Sequence, residues 1–298
     1  MTSLRDRFED RAFEWLARLD HRYQFSSVFP NRRNAVLMYH SVGDPDQFGD
    51  VSPERLWRDL RFLTEEYQVV DLPEVLSAPS EGPKRVAVTF DDGFRTFYDN
   101  AFPIIQSFDV PVTVFVPVGL VDGGAEFSYR LTTSPVGLAD FNDSKRYEVG
   151  ASVDPATMTV DQLRGVVASD LVTLGNHTRT HPDLSRITNG DTLRFEIASA
   201  REELEDLLNV TVERFCYPYG RYNAAALSAV RSSHRYAVTT TPRLVDADTD
   251  PHLIPRLSAH RPEPRLRWDL SDLRWYLGDR FGYRDPPGDR DMNAERKV

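Results

Sequence analysis

One cysteine, Cys216, stands in 298 residues, so the chain forms no internal disulfide and nothing in it implies an oxidising compartment. Lysine is nearly missing as well. Lys84, Lys145 and Lys297 leave 33 of the 36 basic residues as arginine. An acidic, lysine-poor surface suits a salt-rich interior, and a GC-biased genome gives the same shortage; the two readings stand level. Excess positive charge is also lacking. The formal net charge of −10 argues against a nucleic-acid partner and against adhesion to anionic lipid. No run of 18 apolar residues exists to span a membrane, and Met1–Asp10 lacks the apolar stretch of a secretory signal. A cytoplasmic location is therefore expected, with peripheral membrane association left open. No internal repeat is visible, and oligomeric state is not readable.

What remains is ample for one large α/β domain. The apolar fraction is 40%, with 17 phenylalanines. Residues 1–30 are expected to hold an amphipathic helix, because Leu4, Phe8, Ala12, Trp15, Leu16, Leu19 and Tyr23 recur at helical spacing. Acids on its polar face (Asp6, Glu9, Asp10, Glu14, Asp20) favour packing on the protein over lying in a bilayer. The main domain is expected over 31–277. Strands are predicted at 35–40, 67–70, 86–90, 112–116, 171–174, 214–217, 236–240 and 253–257. Helices are predicted from Ser52 with Pro53 at the first position, and over 101–108, 159–167, 192–208, 224–232 and 268–277. Alternation of strand and helix argues for a parallel sheet with outer helices. Residues 121–157 break this rhythm and read as an insertion, and 278–298 read as a disordered tail.

Chemistry concentrates in two places. Asp91-Asp92-Gly93 follows the apolar run Val86-Ala87-Val88. Two adjacent acids at a strand tip are costly unless a cation binds, since like charges repel and burial penalises both. About 85 residues later, His177 and His181 stand four apart in Asn176-His177-Thr178-Arg179-Thr180-His181-Pro182. Two imidazoles and one carboxylate leave open positions on a divalent ion, the arrangement of catalytic zinc.

With these motifs the chain resembles the NodB-type polysaccharide deacetylases over roughly residues 35–260. Thr89-Phe90-Asp91-Asp92-Gly93, the histidine pair, the run 193–205 and Phe215-Cys216-Tyr217-Pro218-Tyr219-Gly220 all occur in the family's order. The resemblance implies a distorted (β/α) barrel and metal-dependent removal of acetyl groups from N-acetylated carbohydrate. It implies Asp92, His177 and His181 as metal ligands, Asp91 as general base, and the Tyr219 backbone N–H as oxyanion donor. Zinc is the default metal; cobalt, nickel or iron also suits the ligands. Insertions at positions like 121–157 border the substrate groove in this family.

Two departures stand out. Cys216 occupies the position where many members carry an arginine that braces the base. Arg256, in Ile254-Pro255-Arg256, is the expected replacement, as in the poly-N-acetylglucosamine deacetylase branch. The general acid is the second departure. Leu257-Ser258-Ala259-His260 is one residue out of register with the usual Leu-x-His, whereas His40 ends the first strand as in that same branch, so His40 is preferred to His260. His40 is expected to face Asp91 across a gap wide enough for an acetamide. His21, His234 and His252 read as solvated. Two other readings stand beside deacetylation: a deformylase or deacylase of a lipid- or nucleotide-linked sugar, and a non-catalytic glycan-binding module. Retention of Asp91 weighs against the last, since binding alone needs no base.

Overall fold

The structure, a computed structural model, describes residues 4–29, 33–43, 51–77, 83–123, 157–260 and 263–281. Its apolar runs form one eight-stranded sheet: β1 (Ala35–Tyr39), β2 (Gln68–Val69), β3 (Arg85–Phe90), β4 (Val112–Val116), β5 (Val172–Asn176), β6 (Arg214–Cys216), β7 (Tyr236–Val238) and β8 (Leu257–Ser258). The order is β7-β6-β5-β4-β3-β1-β8, with β2 also on β3, and every pairing is parallel. β1 and β4 are buried along their whole length, which is why they read as continuous apolar runs rather than alternating ones.

One short segment joins the two edges of this curled sheet. Ile254 bridges Val238, and Leu257 pairs with Leu37. Arg256 N–H donates to the Thr241 carbonyl at 3.0 Å on one side, and Ala259 N–H to Met38 at 3.0 Å on the other. The result is the distorted (β/α) barrel.

Side chains alternate across each strand. Outward-facing Leu37, Val88, Val114 and Leu174 meet the helices, including Leu56, Leu60 and Leu63 of the helix Pro53–Glu66. Each of those three leucines is fully buried, a contribution of about 1.5–3 kcal/mol apiece. Inward-facing Val36, Ala87, Phe115, Cys216 and Val238 fill the barrel. Arg214 closes the end nearest the strand starts by donating to Asp71 and to Thr113 Oγ1. The opposite end, at the strand C-termini, holds the polar residues discussed below.

Several elements differ from the sequence reading. The predicted helix 268–277 is two helices, Glu263–Leu270 and Asp272–Phe281. Ser271 breaks it: its hydroxyl donates to the Trp268 carbonyl at 2.7 Å and accepts from Arg274 N–H at 3.2 Å, so it caps the second helix. The helix of 190–208 contains a π turn, Phe195–Ser199. The N-terminal helix Leu4–Tyr23 packs Phe13 and Ala17 against Trp268 and Leu273. Asp20 leaves its expected polar face and is buried, accepting from Ser26 N–H and Oγ, both at 2.7 Å. His234 is not solvated. It is buried against Phe215 and within 3.2 Å of Asn176 Nδ2, and burial lowers it to about 3. Most of the insertion and the tail lie outside the described residues; the insertion's ends, Val121 and Thr157, are buried, and Thr157 Oγ1 donates to the Leu120 carbonyl. Among the described residues no helix is long and apolar enough to cross a membrane.

Candidate functional site

Strand ends set the positions here. Asp91 and Asp92 follow β3, His177 follows β5, and the turn Pro218–Gly220 follows β6. Seven described non-glycine residues have positive φ. Gln24, Asp109 and Asn209 lie just past helix ends, but Asp92 (72°), Thr178 (67°), His181 (60°) and Tyr219 (59°) all lie in this one cluster. Such conformations cost about 1–3 kcal/mol each and persist where surrounding contacts over-determine them.

Asp92, His177 and His181 come together. Asp92 Oδ1 lies 3.4 Å from His177 Nε2 and 3.3 Å from His181 Nε2, and all three residues are buried. Among the described residues Asp92 Oδ1 has no hydrogen-bond partner. A buried carboxylate oxygen aimed at two imidazole nitrogens fits a divalent ion. The nitrogens are oriented for it. His177 Nδ1 lies 2.9 Å from the Cys216 carbonyl, which only accepts, so Nδ1 carries a proton and Nε2 is the atom turned toward Asp92. His181 Nδ1 lies 3.1 Å from Tyr219 Oη. Burial, then the neighbouring His177, lowers His181 to about 4, which keeps it in the neutral, ligating form at neutral pH.

Asp91 meets a different partner. Arg256 donates from Nη1 to Oδ1 and from Nη2 to Oδ2, each at 2.7 Å. The remaining guanidinium protons go to Thr239 O (2.9 Å), Thr89 Oγ1 (3.0 Å) and Cys216 Sγ (3.1 Å), so all five donors are used. Burial pushes the Asp91 carboxyl up, but the Arg256 charge and its two hydrogen bonds outweigh it, with help from His177 and His40. The group is held well below the usual carboxylate range. Burial raises the Cys216 thiol, so it stays protonated, and its Sγ lies 3.5 Å from Asp91 Oδ2. The small Cys216 side chain leaves the space that Arg256 fills.

His40 Nε2 lies 4.0 Å from Asp91 Oδ2, its side chain about a third exposed. That is closer than the acetamide-wide gap expected from sequence. His260 is exposed and turned onto Ser258 Oγ.

Sequence reasoning quotes Thr89 and Glu196 within motifs but gives neither a role of its own. Thr89 shares a strand face with Asp91, a two-residue offset visible in the sequence. Glu196 sits on the π turn and accepts from Arg179 N–H (3.1 Å), Thr180 N–H (2.9 Å) and Thr180 Oγ1 (2.7 Å), pinning the loop between the two histidines. The helical period gives no sign of that turn.

A family model for polysaccharide deacetylases matches residues 78–238, more than half of the chain. The chain belongs to the polysaccharide deacetylase family. It is 26% identical over 238 residues to the poly-beta-1,6-N-acetyl-D-glucosamine N-deacetylase of Escherichia coli (strain K12), covering 68% of this chain and 33% of that protein. It thus spans about a third of the length of that relative. The enzyme of the same name from Staphylococcus epidermidis is 26% identical over 213 residues, covering 67% of this chain and 61% of the relative. Two solved structures of family type share the fold. They are the Streptococcus pyogenes deacetylase PplD in complex with acetate (TM-score 0.62, 23% identity, 82% and 100% covered) and IcaB from Ammonifex degensii (TM-score 0.59, 21% identity, 76% and 91% covered).

Proposed function

We propose that this member of the family hydrolyses the acetamide of N-acetylated amino-sugar polymers. The observation that carries the reading is the buried Asp91, doubly bonded to Arg256, directly beside the Asp92–His177–His181 cluster. A charged base held next to a ligand set has no use in a glycan-binding module. The relatives' names point to poly-N-acetylglucosamine rather than to a lipid- or nucleotide-linked precursor.

Asp92, His177 and His181 would hold the ion, with zinc proposed and cobalt, nickel or iron fitting the same donors. When bound, such an ion supplies Lewis acidity and an activated water. The chain's own groups do the rest. Asp91 takes a proton from the attacking water, and its brace keeps it ionised for that task. Tyr219, through its backbone N–H on the turn Pro218–Gly220, donates to the developing oxyanion. His40, as imidazolium, gives a proton to the sugar nitrogen as the C–N bond breaks, releasing acetate and a free amine.

Metal analysis of the purified protein, followed by acetate release from β-1,6- and β-1,4-linked N-acetylglucosamine oligomers, tests this. Metal-dependent release that Asp91→Asn abolishes supports the reading. A zinc-loaded protein that releases no acetate from either oligomer sinks it.

A further inference from the structure

Two segments of the site run side by side and are joined at regular intervals. His181 Nδ1 meets Tyr219 Oη at 3.1 Å, Arg221 Nη1 donates to Asp183 Oδ2 at 3.1 Å, and Asn223 Nδ2 donates to the Ser185 carbonyl at 3.1 Å. Each of these three contacts spans 38 residues, and each lies two residues beyond the last. Asn223 Nδ2 also reaches the Ile187 carbonyl at 2.9 Å. One segment carries a candidate metal ligand, His181. The other carries the candidate oxyanion donor, Tyr219.

The central link is the charged one. Asp183 is buried, with its side chain 3% exposed, and that of Arg221 is 11% exposed. Asp183 Oδ1 accepts from Ser185 N–H and Oγ, and the outer Arg186 Nε stands 3.5 Å from Oδ2. The Arg221 guanidinium also lies 5.7 Å from the Tyr219 ring centroid, so it touches the turn it follows. A turn built on positive φ at Tyr219 and Gly220 needs outside contacts to hold it. The phenol of Tyr219 is a rotatable tether, whereas the Asp183–Arg221 pair is a short, buried, charge-assisted one.

We propose that Asp183 and Arg221 are positioning residues for the hydrolysis: their ion pair fixes the Tyr219 turn relative to His181, and so the oxyanion donor relative to the metal. The proposal rests on the deacetylase reading above. Small displacements of a donor cost rate without costing ligand affinity, so the pair should act on turnover and not on metal binding.

The test is a double-mutant cycle of Asp183→Asn, Arg221→Gln and both, with Arg221→Lys as the conservative variant. Three quantities are measured. They are zinc affinity by chelator competition, kcat and KM for acetate release, and hydrogen exchange of the 217–223 peptide against that of 85–90. Each single neutral variant should lower kcat by about 10- to 100-fold, leaving KM and zinc affinity within about threefold. Exchange should quicken at 217–223 alone. The double variant should be no slower than the singles, and Arg221→Lys should recover part of kcat. Unchanged kcat, or loss of zinc affinity in step with kcat, would overturn the proposal. A wild-type protein that binds zinc but releases no acetate removes the deacetylase reading instead. Exchange then still decides whether the pair holds the turn, and unchanged exchange in Arg221→Gln and Arg221→Lys refutes it.

Discussion

Phe115 occupies the space that a side chain at Gly175 would need. A Cβ built on Gly175 would stand 2.3 Å from Phe115 Cδ1 and 2.4 Å from Cε1. The ring thereby lies inside the barrel, with its centroid 5.7 Å from the Arg256 guanidinium and 6.4 Å from the His177 ring. Gly175→Ala should therefore cost about 1–3 kcal/mol through overpacking and weaken metal binding as well. Urea unfolding and zinc titration read both effects. Adding Phe115→Leu should restore part of each; a Gly175→Ala protein of native stability would show that the ring is not a fixed floor.

Asp91→Asn tests the proposed base apart from the proposed ligands. Asp91 is not in the Asp92–His177–His181 cluster, so zinc affinity should stay within a few-fold of native. Turnover should fall by about 10²–10⁴-fold. The two numbers come from one preparation, by chelator competition and acetate release.

Arg256 controls when Asp91 is ionised. With Arg256 present, the depressed Asp91 carboxyl contributes stability that is complete above the ordinary aspartate value, about 3.9, and is lost as pH falls further. Without the guanidinium, burial dominates and the carboxyl rises. The acidic limb of kcat/KM should then move toward neutrality in Arg256→Ala, and less far in Arg256→Lys, which keeps charge but loses the fork. Arg256→Ala should also destabilise by about 3–5 kcal/mol, because it strands a buried carboxylate.

The two candidate acids part cleanly. His40 stands beside Asp91, and His260 is exposed and turned onto Ser258. His40→Ala should lower kcat by about 10²–10⁴-fold, and His260→Ala should leave it within about twofold. The opposite ranking in a steady-state assay would move the acid role to His260.

Lys84 is a separate matter of stability. It is buried and donates to the Leu270 carbonyl. Burial lowers it to about 7, with Asp272 opposing that shift and Arg33 adding to it. Its folded value lies below its unfolded one, so the unfolded chain binds the extra proton between pH 7 and about 10.4. Stability from this group should rise across that window as pH rises. Lys84→Met should flatten the rise, by a few kcal/mol over the window, in denaturant melts run at pH 7 and pH 10.

The sequence shows the parts of this site whose signals are local. Strand runs such as 112–116 and the carboxylate and histidine motifs carry their own pattern. The geometry joining them does not. Arg256 follows Asp91 by 165 residues, and only closure of the ring between β7 and β1 brings them together. Ser271 looked like a helical position until its cap was visible, because 268–277 keeps an apolar period across it. His234 looked solvated because no motif surrounds it, yet Phe215 and Asn176 enclose it. Burial of a lone polar residue depends on which elements pack over it, and that is a property of the tertiary arrangement.

The order in which the chain is made gives the ring-closing segment a timing. A ribosome delivers Asp91, Asp92, His177 and His181 before residue 256 exists. A nascent chain, or one cut short of that residue, carries the candidate ligands but has no guanidinium against Asp91. The Asp91–Arg256 contact therefore forms late, when residues 254–259 seat between β7 and β1.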